Sequence, residues 1–94
     1  MPSTATFSLA APAGTWTLVA AGSLVSRIGL QLATVAACEV AVAASTGAIA
    51  ADGFVVLSGS GDRSLSLDLE TADNVYARGI GADGARLRGY RVAR

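Results

Sequence analysis

Asp68, Glu70 and Asp73 lie close together in the chain, and they are the first residues whose types and spacing could do chemistry. Two carboxylates on one strand face suit glycoside hydrolysis, where one acts as acid and the other as base or nucleophile. With Asp62, the same residues make a set of oxygen donors of the kind calcium takes. A simpler reading competes with both. Ser64-Leu65-Ser66-Leu67-Asp68-Leu69-Glu70 alternates strictly, so Leu65, Leu67 and Leu69 share one face while Ser64, Ser66, Asp68 and Glu70 share the other. A polar outer strand face running into a turn accounts for the acids without any chemistry. Nor does their spacing match a calcium-binding helix-loop-helix, which needs oxygen ligands at fixed alternate positions and a closing Glu.

Other chemistries are narrowed by composition. There is no histidine, which removes Ser-His-Asp and Cys-His arrangements. Cys38 is the single cysteine, so no disulfide forms within the chain and no soft-ligand zinc set exists. The loop Gly59-Ser60-Gly61-Asp62-Arg63 is glycine-rich but lacks the following Lys and the helix start that a phosphate loop requires. These residues lead us to expect no catalytic residue, no cofactor and no metal, and hence a protein that is not an enzyme. Cys38 is expected to face inward as a small hydrophobe.

The basic residues are all Arg, at positions 27, 63, 78, 86, 88, 91 and 94. The net charge is zero, but residues 1–77 carry an excess of acids and residues 78–94 an excess of Arg. Arg78, Arg86, Arg88 and Arg91, with Tyr90 among them, form a candidate surface. Arginine is favoured at protein interfaces because its planar fork matches carboxylates. A solvated strand face is the second reading. Nucleic-acid binding is a distant third, because such domains carry a net basic balance, and we expect no nucleic-acid partner.

These groups must be positioned by strands. Ninety-four residues make one domain. Glycine-containing turn signals recur along the chain, at Gly14, Gly22, Gly47, Gly53, Gly59–Gly61 and Gly81–Gly84. Short alternating segments between such turns predict an all-β fold: a single small β-sandwich or jelly-roll-like domain of six to eight short antiparallel strands. In Thr15–Ala20, alternation puts Trp16, Leu18 and Ala20 inward. Asn74–Ile80 reads as a strand that enters a hairpin through Asp83-Gly84, residues that tolerate positive φ. A bulge at Gly89 would then turn Tyr90 and Val92 inward. Leu30–Ser45 is ambiguous because its alanines favour helix. We read it as strands at 28–33 and 37–44, with a turn near 34–36 and a short helix or loop at 46–51. The stretch 28–51 contains too many polar residues and too much alanine for a membrane span. The start of the chain has no basic residue before its weakly apolar stretch, so it does not read as a secretory signal. Residues 1–13 are expected as an N-terminal arm, with a short strand at Thr6–Leu9, preceding a sandwich at 14–94. Phe7 and Leu9 are its candidate contacts with a neighbour.

Several of these pieces together resemble a known group. Gly14-Thr15-Trp16-Thr17-Leu18-Val19-Ala20, the Leu65–Leu69 strand, Asp73-Asn74-Val75-Tyr76-Ala77-Arg78 and a Gly-Ala turn into a closing strand resemble small β-sandwich virion proteins of tailed bacteriophages. Such proteins act as capsid decoration or cement, or as head-fibre and spike components. The resemblance implies a homo-oligomer, with a trimer favoured, on the particle surface. It would be assembled in the host cytoplasm, with the major capsid protein or other virion proteins as partners. A tail or connector component is an alternative within the class. Outside it stand two others. One is a carbohydrate- or receptor-binding module using Trp16, Tyr76, Tyr90, Asp68 and Glu70. The other is a small enzyme using the carboxylate pair.

Overall fold

Alternation of apolar and polar side chains decides where the strands run. In β3 (Val25–Leu32), Ile28, Leu30 and Leu32 are buried while Arg27 and Gln31 are exposed. In β6 (Ser64–Asp68), Leu65 and Leu67 turn toward the core and the serines and Asp68 toward solvent, with Leu69 buried just beyond. The other strands are β1 (Thr4–Ala11), β2 (Thr17–Ala21), β4 (Cys38–Ala43), β5 (Val55–Leu57), β7 (Asn74–Gly79) and β8 (Ala85–Ala93), with a 3-10 turn at Thr46–Ala48. The computed structural model describes residues 3–34, 36–49, 53–59, 61 and 63–94. Within them the molecule is all-β, as the pattern predicts. The alanine-rich segment forms β3 and β4, because the residues that must be buried recur with period two; Val35, within the turn expected near 34–36, lies outside the described residues. No helix among the described residues is long and apolar enough to cross a membrane.

Two four-stranded antiparallel sheets form, in the orders β1-β8-β3-β6 and β2-β7-β4-β5, here called sheets A and B. The pairs β1–β8, β2–β7, β3–β6 and β4–β5 describe one long hairpin, β1–β4 against β5–β8, reversed between β4 and β5. Rolling that hairpin drops alternate pairs into opposite layers, and β8–β3 and β7–β4 pairing then completes each sheet. This is the strand order of an eight-stranded jelly roll. Of the consecutive strands, only β4 and β5 are hydrogen-bonded neighbours. Between the layers sits the core, with Ile28, Leu30, Leu32 and Leu87 from sheet A facing Val19, Cys38, Val40, Leu57 and Val75 from sheet B.

Four expectations need correction. The segment expected as an arm belongs to the sandwich: the strand expected at Thr6–Leu9 lies within β1, but β1 extends over Thr4–Ala11, pairs with β8 at eight consecutive positions, and packs Phe7 and Leu9 against the core. In β2 the register against β7 shifts between Leu18 and Ala20, which buries Val19 and Ala20 and leaves Leu18 50% exposed. A bulge of this kind slips the period by one residue, so Leu18 points outward and Trp16 stands half-buried on the same outer face.

The third correction concerns Asp83-Gly84. Gly81 and Gly84 do adopt positive φ, 96° and 70°, but the turn carries the chain from sheet B to sheet A rather than forming a hairpin. The chain crosses tightly against the end of β1 here. Gly79 donates its N–H to the Pro12 carbonyl at 3.0 Å, and a Cβ on Gly79 would run into the Ala11 carbonyl and, at 2.6 Å, Gly84 Cα. Finally, β8 runs through Gly89 in unbroken register with β1 and with Arg27–Leu32 of β3; the one shift against β3 falls later, between Val25 and Arg27 on the β3 side. There is no bulge at Gly89, and Tyr90 therefore stays on the outer face with Arg86 and Arg88, while Arg91 turns inward.

Candidate functional site

The candidate arginines do not form one patch. Arg78 lies on the outer face of sheet B, opposite Glu39 in register. Its Nε donates to Glu39 Oε1 at 2.8 Å, and its guanidinium stacks 4.3 Å from the Trp16 ring centroid, with Phe54 at 6.0 Å. The two charged side chains are 28% and 13% exposed, so this cation is neutralised and covered. Arg91 sits between the sheets at one end of the sandwich. It donates from Nε and Nη2 to the Val19 carbonyl at 3.0 and 2.7 Å, and its guanidinium lies 3.9 Å over the Phe7 ring. It thereby ties β8 of one sheet to β2 of the other. Arg94 works similarly, donating to the carbonyls of Gly22, Val25 and Leu69.

Only Arg86, Arg88 and Tyr90 share an outer face. Register lays out the sheet A surface in rows: Thr4, Val92, Arg27, Asp68; then Thr6, Tyr90, Gly29, Ser66; then Ser8, Arg88, Gln31, Ser64. Arg86 donates to Ser8 Oγ at 3.0 Å. Arg88 makes no ion pair among the described residues. The Tyr90 ring lies across Gly29, where a Cβ would fall 2.6 Å from its Cζ. The missing side chain lets the ring lie flat on the strand, the way an aromatic compensates an exposed strand glycine. Shallow grooves flank the ring, one along Gln31, Ser64 and Ser66, the other along Thr6, Ser8 and Arg88. Gln31 was legible as an outward residue from the Ile28-Leu30-Leu32 alternation, but its place beside Tyr90 depends on the β3–β8 register, which no local pattern encodes.

The carboxylates are spread over structural tasks. Asp68 pairs with Arg27 at 3.1 Å on an exposed edge. Asp73 closes the turn before β7, its Oδ2 accepting from the Glu70 N–H at 3.0 Å. Asp62 lies outside the described residues. Among those described, no three acids, cysteines or histidines gather into a metal-binding group. The aromatics considered for sugar stacking also separate: Tyr76 is buried, Trp16 is half-buried on sheet B, and Tyr90 is half-buried on sheet A.

The sandwich opens between β5 and β6 into a cleft of about 400 Å³, lined by Val40, Val42, Phe54, Val55, Leu65 and Leu67. Among the described residues, hydrocarbon and one aromatic ring line it, with no polar side-chain group to orient a ligand. A different apolar surface covers the outside of sheet B. There Leu18 and Val56 are 50% and 45% exposed, next to the Trp16–Arg78–Phe54 stack.

Two predictions follow from the internal groups. Arg91→Ala removes two charge-assisted hydrogen bonds to the Val19 carbonyl and the stacking on Phe7. We expect a loss of about 2 kcal/mol, read as a lower midpoint in urea unfolding. Arg91→Lys should recover less than half, since a point charge cannot reproduce the fork. A residue serving only as an outside contact would leave the midpoint unchanged.

Burial, and then the neighbouring Glu39 charge, push the Cys38 thiol up to about 11. A thiol pKa raised in the folded state contributes stability that is intact below the unfolded value of 9.0 and is lost as pH rises toward 11. The native protein should therefore resist iodoacetamide at neutral pH and react once unfolded. Cys38→Ala should flatten part of the stability loss above pH 9, seen as a smaller fall in Tm than in the wild type.

No protein-family model, curated protein or solved structure matches this chain.

Proposed function

We propose that this chain is a structural component of a bacteriophage particle: a capsid decoration or cement protein, or a head-fibre or spike component. In this reading it is present in many copies, binds the major capsid protein or another virion protein, and stabilises the shell. Its work is done by contact and not by catalysis. The observation that carries the reading is the strand order β1-β8-β3-β6 over β2-β7-β4-β5, because the two-sheet jelly roll is an architecture of viral capsid domains. Lectin domains and cupins use it as well, so the order supports the class by analogy, alongside the resemblance in the strand sequences.

The surface assigned to the shell is the outer face of sheet B. Exposed apolar patches rimmed by polar groups mark protein contacts, and Leu18 and Val56 beside the Trp16–Arg78 stack make one. Aromatic residues and Arg are the types enriched at such contacts. Mass spectrometry of purified particles tests the reading: the chain should be recovered in stoichiometric amounts with the shell protein. Particles that lack it would end the proposal.

A second reading has its own observation. Tyr90, flanked by Gln31, Ser64, Ser66, Thr6 and Arg88, offers a ring face surrounded by hydrogen-bonding groups, the chemistry that holds a sugar. Titration with defined oligosaccharides, followed by amide NMR, would shift residues on the outer face of sheet A in the wild type and not in Tyr90→Ala. Absence of any shift would remove this reading.

A further inference from the structure

A sheet in solution must do something with its edges, since an edge strand presents unpaired N–H and C=O groups to any other strand. This sandwich has four edges: β1 and β6 in sheet A, β2 and β5 in sheet B. Three carry the devices that discourage pairing. β2 is interrupted by its register shift between Leu18 and Ala20. β5 is only three residues long. β6 has five residues and ends in the exposed Arg27–Asp68 ion pair, and Arg63 just before it donates to the Leu32 carbonyl at 3.0 Å.

β1 carries none of them. Thr4-Ala5-Thr6-Phe7-Ser8-Leu9-Ala10-Ala11 contains no charge, no proline and no glycine, and it runs through eight consecutive pairs with β8 without a bulge. Its inward side chains are incompletely covered as well. Phe7 and Leu9 pack against the core yet remain half-exposed.

We infer that the free edge of β1 pairs with β1 of a second copy of this chain, joining the two A sheets into one continuous eight-stranded layer. Three features point to a second copy and to the same strand in it. Of the four edges, only β1 has the length to match β1. Antiparallel self-pairing of an uncharged strand brings no like charges together. The two-fold arrangement uses each copy's one unprotected edge, so the assembly closes as a dimer and does not propagate. A β1–β6 pairing would join strands of eight and five residues and would leave a free edge at each end of a growing filament. Pairing would also cover the flanks of Phe7 and Leu9, which adds apolar burial to the backbone hydrogen bonds. This symmetry is two-fold, whereas the resemblance favours a three-fold, and the inference stands independently of the virion reading.

The test uses the full chain in sedimentation equilibrium. The wild type should behave as a dimer at concentrations of about 100 µM. The Thr4→Lys/Thr6→Lys double variant puts charges on the exposed outer side of the edge, the device that keeps edge strands from pairing, and the two copies' Thr6 positions lie near the two-fold axis, so like charges meet there. It should sediment as a monomer with an unchanged far-UV spectrum, its dissociation constant raised by at least about tenfold. Hydrogen exchange on the wild type supplies the second readout and needs no variant. Amides of β1 should gain protection as concentration rises, while those of β5 and β6 stay constant. A wild-type chain that is monomeric at that concentration, a dimer untouched by the two lysines, or β1 exchange independent of concentration would each overturn the inference. A monomeric wild type would leave the particle assignment standing, because that is tested on particles.

Discussion

Gly89→Ala is expected to cost about 3 kcal/mol or more, whereas Gly29→Ala, one strand away, costs about 1 kcal/mol. Both glycines lie in the middle of sheet A and face each other's neighbours across β3 and β8. The difference lies in what a methyl group would meet. At Gly89 a Cβ falls on the carbonyl oxygen of Gly29, 2.9 Å from its carbonyl carbon and 3.2 Å from Leu30 Cα. All of these are backbone atoms, so relief requires β3 and β8 to part, which breaks the central ladder of the sheet. At Gly29 the Cβ meets the Tyr90 ring, including Cζ at 2.6 Å. That ring is the far end of a side chain on the outer surface and can swing aside. Alanine also restricts the unfolded chain, which favours folding by about 0.4–1 kcal/mol at either site. This gain is too small to rescue Gly89. Thermal unfolding of both variants checks the contrast, and equal losses would mean that β3 and β8 do not approach as closely as described.

Leu87→Ala is expected to cost about 3 kcal/mol, within the range for emptying a fully buried leucine site. Leu87 is completely buried on β8, with Leu9 of β1 on one side and Leu32 of β3 on the other. The row Leu9–Leu87–Leu32 therefore crosses three strands on the inner face of sheet A. Both flanking strands are held by ladders, so the site collapses little around the lost atoms and a cavity remains. For a domain of this size the loss lowers Tm by about 12–24 °C. Arg88→Ala, the next residue but on the outer face, is the control: an exposed residue with no ion pair among those described should shift Tm by under about 0.5 kcal/mol equivalent. If the two substitutions cost the same, the facing of β8 assigned here is wrong.

Those neighbours illustrate what a sequence of this kind discloses. Ser64–Glu70 reads plainly as a strand because one face is buried and period two follows directly; Asn74–Ile80 reads as a strand too, although Val75, Tyr76 and Ala77 of β7 are buried in succession because the strand is covered on both faces. The boundaries of β3 and β4 were legible to within a few residues, despite alanine's helical preference, since Cys38 and Val40 keep the alternation. Trp16 and Leu18 face outward where alternation alone puts them inward, because a bulge between Leu18 and Ala20 resets the count, and a bulge is a property of two strands in register. Asp83-Gly84 announced a turn correctly but not its destination. A glycine with positive φ permits both a hairpin and a corner between layers, and the choice here is made by contacts with Ala11 and Pro12, distant in the chain.

The candidate surface shows the same division. Arg86, Arg88 and Tyr90 keep company on one face because alternation holds through Gly89. A bulge at Gly89 would turn Tyr90 inward; the residue is glycine because two backbones pass close there. Arg91, one residue further, belongs to the interior, where the Val19 carbonyl and the Phe7 ring receive it. Arg78 looked like a neighbour of the terminal strand and sits in the other sheet, matched to Glu39 across the β4–β7 ladder. Arginine's preference for interfaces held no information about which arginines the fold would use to join its own two layers.

Whether this jelly roll is a repeated component of a phage particle, as proposed, is read from a reconstruction of the intact particle. Density for an eight-stranded sandwich is expected at many equivalent positions, with the outer face of sheet B, around Trp16, Leu18 and Val56, against the underlying protein. Position on the head or on the tail would separate decoration from a connector role. A particle fully accounted for by other chains, with no density of this shape, would contradict that proposal.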